Sequence, residues 1–111
     1  RQGPSRLERW LRTKHLVVAA RRGYGYRALP HLLRIVEEEE EHLDVRLMAI
    51  EGAALLLDDY FLLRTDDHVY LFRPHAPLQE RARLVFAELC AGEGPLACRA
   101  SEIVESRTKT E

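Results

Sequence analysis

The sequence predicts an α+β domain with two N-terminal helices, a three- to four-stranded antiparallel meander and a C-terminal helix packed on one face of it. Three observations predict this. Apolar residues recur at helical spacing from Leu29 onward, the period falls to two after Asp44, and a helical period returns behind Pro77.

The first helix is expected over residues 6–22. Ser5 followed by Glu8 has the spacing of a capping box, in which the hydroxyl and the carboxylate each satisfy an otherwise unpaired N–H. Leu7, Trp10, Leu11, Val17 and Val18 supply an apolar stripe that Lys14 interrupts, and Gly23 offers a left-handed stop. Gly23, Tyr24, Gly25 and Tyr26 form a turn-rich connector. A second helix starts near Pro30, where a missing N–H costs little, and Leu29, Leu32, Leu33, Val36 and Leu43 give it a buried face. The five acids at 37–41 cover more than one side of that helix and read as a solvated run.

From Asp44 the pattern turns extended. Val45, Leu47 and Ala49 alternate with Arg46, Met48 and Ile50, as in a half-buried strand. Residues 53–57, 60–63 and 69–72 are further short apolar runs. Asp58 and Asp59 divide the first two, and Thr65, Asp66, Asp67 and His68 join the last pair as a hairpin. Pro74 ends the strands. A third helix runs from Pro77 to about Ala91 on Leu78, Ala82, Val85, Phe86 and Leu89, and Gly92 stops it. A short helix is expected over 96–105 and a frayed tail over 107–111.

The 111 residues, 46% hydrophobic and 32% charged, suit one globular domain over 1–111 rather than a disordered chain. No apolar run approaches the ~20 residues that span a bilayer. Residues 1–12 carry no apolar core of a signal peptide, and Cys90 and Cys98 make no disulfide framework, so a cytoplasmic chain with no membrane partner is expected. Net charge is −1 but unevenly spread. Residues 1–27 hold eight Arg or Lys against one acid, and the remaining 84 residues hold nine bases against 17 acids. A basic segment on an acidic body points to a polyanion or to an internal dock of one half on the other.

Motifs that carry chemistry are incomplete. The histidines at 15, 31, 42, 68 and 75 include no pair four residues apart, and Cys90 and Cys98 lie eight apart across Gly94 and Pro95, unlike a zinc knuckle. His68 and His75 flank one strand and could face Cys90. No serine stands in a nucleophile elbow. Nucleic acid has one argument: Arg6, Arg9, Arg12, Lys14, Arg21 and Arg22 line the first helix for phosphate, with Tyr24 and Tyr26 behind them for stacking. Against it stands a pI of about 6.6, low for a dedicated binder.

Residues 23–92 resemble the front half of the ImmA/IrrE-type metallopeptidase domain. The resemblance is carried by Tyr26, Arg27, Ala28, Leu29 and Pro30 leading into a helix, by the strand at 69–72, and by the helical run 80–89. It implies a zincin-like half-domain whose third helix should bear His-Glu-x-x-His. Glu88 matches the family's catalytic glutamate, but Ala87 and Ala91 stand where the zinc-binding histidines belong, and Glu102 is the nearest candidate for the third ligand. Without imidazoles Glu88 has no metal-bound water to activate. The resemblance therefore implies a noncatalytic regulatory domain with no catalytic residue beyond Glu88, no metal ligands and no zinc, the family's cofactor. It also implies a protein partner of the helix-turn-helix transcriptional regulator kind, docked by the basic helix through Arg6, Arg9, Arg12, Lys14, Arg21 and Arg22. Two alternatives stand beside it: a nucleic-acid-binding regulator using those same side chains, and a hydrolase with an unconventional metal site. A free edge of the meander offers a homodimer contact unless Arg64 and Arg73 blunt it.

Overall fold

A computed structural model describes residues 3, 5–22, 27–64 and 66–108. The chain runs α1 (Arg6–Arg21), α2 (Ala28–Glu37), α3 (Leu43–Ala53), a 3-10 turn (Ala54–Leu57), β1 (Phe61–Arg64), β2 (Val69–Phe72), α4 (Ala76–Ala91) and α5 (Pro95–Thr108). Among the described residues helices make the core, and the strands form a two-stranded antiparallel sheet. The expected three- to four-stranded meander, and with it the zincin-like half-domain, is not what this chain builds.

The correction centres on residues 44–57. Alternation over 45–50 mimics a strand, but the buried positions are Val45, Ala49, Ile50 and Ala53, which is helical spacing. α3 is the central helix, packed against α1, α2 and α5. A helix enclosed by neighbours is apolar on several sides, so no single stripe declares its period. Asp44 lies in its first turn, where the helix dipole favours an acid, and its Oδ1 accepts from the Val45 N–H at 2.9 Å. The alanines and leucines of 53–57 then tighten into the 3-10 turn, burying Ala54 and Leu56.

Gly52 sets how closely α3 meets its neighbours. A Cβ there would lie 2.6 Å from Leu32 Cδ1 and 3.1 Å from Val17 Cγ2. Around it gather Val17 and Ala20 of α1, Leu32, Leu33 and Val36 of α2, and Ile50 of α3. Each large side chain buried here contributes about 1.5–3 kcal/mol.

α2 ends at Glu37, short of the expected Leu43. Five consecutive acids at the negative end of a helix dipole repel it and one another, so the chain turns out through 38–42. Leu43 is accordingly exposed. α1 keeps its expected bounds within a residue, and the Glu8 N–H donates to Ser5 Oγ at 3.2 Å. Its buried face differs from expectation. Thr13, Val17 and Ala20 point inward while Leu7, Leu11 and Val18 are exposed. Buried Thr13 is satisfied by donating its hydroxyl to the Arg9 carbonyl at 2.8 Å. Gly23, Tyr24, Gly25 and Tyr26, expected as the stop and connector, lie outside the described residues, as does the tail beyond Thr108.

α4 and α5 cover the far side of the core through Ala82, Phe86, Leu96, Ala100 and Ile103. Arg107, in the last turn of α5, reaches back to the root of the hairpin. Its Nε donates to Asp58 Oδ1 at 2.9 Å and its Nη2 to the Ala54 carbonyl at 3.1 Å. Among the described residues no helix is long and apolar enough to cross a membrane.

Candidate functional site

β1 and β2 pair without a bulge, Phe61 opposite Phe72 and Leu62 opposite Leu71. Aromatic and branched side chains favour the pleat, and Asp66 and Asp67 favour the turn between the strands. Directly opposed residues share a face. Phe61 and Phe72 therefore face the core together, their ring centroids 4.8 Å apart and tilted by 48°. On the other face Leu62 is 58% exposed, Leu71 58% and Val69 57%. Tyr60 and Tyr70 are also more than half exposed, and the Tyr70 ring stacks on His68 at 5.7 Å. Among the described residues neither strand has a further strand beside it, so each presents an open edge.

This arrangement leaves a mismatch. A continuous apolar run such as Val69–Phe72 suits a strand covered on both faces, and here one face is covered. Two-stranded ribbons need packing on a face to be stable, and the inner pair Phe61 and Phe72 provides it on one side only.

The basic helix docks in part on the body of the same chain. Arg6 Nε donates to Asp44 Oδ2 at 2.8 Å, and Arg9 Nη2 to Glu41 Oε2 at 2.6 Å. Arg21 Nη2 donates to the Glu51 carbonyl at 3.3 Å. Lys14 lies over the Trp10 ring, 5.4 Å from its centroid, while Arg12 and Arg22 extend from exposed positions. The six bases proposed for a partner are thus divided, three committed to α3 and the 38–42 loop and three without an acid partner among the described residues. The acidic run is not uniformly solvated either. The Glu41 side chain is only 7% exposed, and Glu37 takes a side-on pair of hydrogen bonds from Arg81. That guanidinium is held above its ordinary pKa first by the hydrogen bond to Glu37 and then by its charge.

Glu88 lies exposed on α4 with exposed Ala87 beside it and exposed Ala91 one turn on. Among the described residues no three of His, Cys, Asp and Glu converge as a metal-binding group. His75 precedes the first residue of α4 and Cys90 lies in its last turn, which puts about 22 Å of helix between them and parts the cluster that the sequence suggested. Cys90 and Cys98 are free thiols at the turn between α4 and α5.

A scan against protein-family models, a search of curated proteins and a search of solved structures each find no match to this chain.

Leu62, Val69, Tyr70 and Leu71 are read from the sequence as strand residues and not as site residues. Their signal is in it nonetheless. Two four-residue strands apolar at nearly every position, joined by a polar turn, carry more apolar surface than a ribbon can bury against one neighbour.

Proposed function

We propose that this chain is a noncatalytic protein-interaction domain that binds its partner through the outer face of the β1–β2 hairpin. The observation that carries the reading is the row Leu62, Val69 and Leu71, apolar and uncovered on a strand pair whose composition suits cover on both sides. The occupant we assign is an amphipathic helix of a partner protein, laid across that face. Leu62, Val69 and Leu71, with Tyr60 beside them, offer roughly 400 Å² of surface, short of the ~800 Å² per side of a stable dimer but suited to a few turns of helix.

The resemblance to the ImmA/IrrE domain adds a helix-turn-helix regulator as the partner to try first. It lends less support than the sequence alone suggested, because the meander it relies on is helical here. The nucleic-acid reading draws on Arg12, Lys14 and Arg22, with Arg6 and Arg9 already held by acids.

The test places a photo-crosslinking amino acid at position 62, 71 or, as a control, at exposed Leu84 on α4. The expected result is one discrete adduct in cell extract from positions 62 and 71 and none from 84. The purified partner should then lose affinity by about tenfold or more for the Leu71→Asp chain. Equal adducts from all three positions, an adduct of two copies of this chain, or unchanged affinity of the Leu71→Asp chain would each overturn the reading.

A further inference from the structure

We propose that the groove between α1 and α2 binds a small zwitterion, with its oxyanion group between Arg12 and Arg34 and its amine toward Glu38 and Glu40. The groove encloses about 550 Å³, within the range of small-molecule sites. One wall is a single stripe of α1, Arg9, Arg12, Thr13 and Leu16. The other is a single stripe of α2, with His31, Arg34 and Ile35 followed by Glu38.

The charges in it are sorted. Arg9 is neutralised by Glu41, whose side chain is almost fully buried, and both line the groove. Arg12 and Arg34 stand on opposite walls, and among the described residues neither has an acid partner, whereas Arg6, Arg9, Arg81, Arg99 and Arg107 each do. Two guanidinium groups lining one groove repel unless an anion lies between them, and each offers a planar fork that matches a phosphate or carboxylate side-on. Glu38 and Glu40 line the same groove, exposed and likewise without a cationic partner among the described residues. Three arginines and three glutamates leave the lining balanced, so a polyanion meets as much repulsion as attraction. A ligand carrying one charge of each sign satisfies both poles. This site shares no residue with the hairpin and stands or falls separately from it.

The test is calorimetric titration of the intact chain with four probes: O-phosphoethanolamine and ethyl phosphate, β-alanine and propionate. Each pair differs by the amine, and the two pairs distinguish a phosphate from a carboxylate head. The expected result is saturable one-to-one binding of one amine-bearing probe, about fivefold tighter than its amine-free counterpart. Arg12→Gln and Arg34→Gln should each weaken it by about tenfold or more, and Glu38→Gln with Glu40→Gln should erase the advantage of the amine. All four side chains are exposed, so the thermal midpoint should hold and report intact folding. No saturable binding at about 10 mM of any probe, or binding indifferent to both arginine substitutions, would overturn the proposal, as would tighter binding of the amine-free probe.

Discussion

Glu51 and Arg99 meet side-on across the α3–α5 interface, with Nε to Oε2 and Nη2 to Oε1 both at 2.7 Å. Two parallel bonds fix the orientation of both side chains, which a single surface ion pair does not. The hydrogen bond to Arg99 holds the Glu51 carboxyl below its ordinary pKa; burial opposes the shift, and the charges of Arg99, Arg21 and Arg107 reinforce it.

A pH dependence follows from that sign. A carboxyl depressed in the folded state stabilises it fully above its unfolded pKa of about 4.5, and the contribution is lost as pH falls through the folded value. Glu51→Gln should cost about 1 kcal/mol at pH 7, a figure discounted for the partial exposure of both partners. Urea unfolding of both chains at pH 7 and pH 3 checks it, since the difference between them should shrink at the lower pH.

Gly52→Ala should destabilise the protein although alanine is the better helix former by about 1 kcal/mol. The added methyl meets Leu32 Cδ1 at 2.6 Å and Val17 Cγ2 at 3.1 Å, and Leu32 is fully buried, so the core around it must shift. Overpacking of this kind costs about 1–3 kcal/mol, so the net loss is about 1 kcal/mol and the thermal midpoint drops by about 4 °C.

Phe86 is the largest of the fully buried side chains and ties α4 to the core. Phe86→Ala should cost about 3–5 kcal/mol, a large share of a small domain's stability. Calorimetry should show a midpoint lowered by more than 10 °C, on the order expected from that loss.

Phe61→Ala should release the ribbon and spare the bundle. The Phe61–Phe72 pair is the hairpin's packing on the body, whereas α2 and α3 hold each other independently. Hydrogen exchange should accelerate by about tenfold or more at the paired amides of β1 and β2 and stay within about twofold in α2 and α3.

Local chemistry makes parts of this fold readable from the sequence. The Ser5 and Glu8 spacing marks the start of α1, Pro77 and Gly92 bracket α4, and Asp66 and Asp67 mark the hairpin turn. α3 is not readable because its period is masked by apolar residues around most of its circumference, and a six-residue window over 45–50 then matches a strand by chance. The candidate surfaces fail for a related reason. Burial of Phe61 and exposure of Leu62 follow from where the ribbon meets the body, which no periodicity within four residues reveals. The pairing of Arg9 with Glu41 was foreshadowed by the basic start and acidic remainder of the chain, while the isolation of Arg12, one turn away, was not.

The reach of Arg107 to Asp58 and Ala54 makes the last turn of α5 a steering arm for the bend at Asp58, 49 positions earlier, from which the ribbon departs. Trimming α5 ahead of that arginine would leave most of the helix in place yet slacken the bend that aims Leu62 and Leu71. Substitutions at Arg107 are therefore, in this fold, alterations of the hairpin's posture.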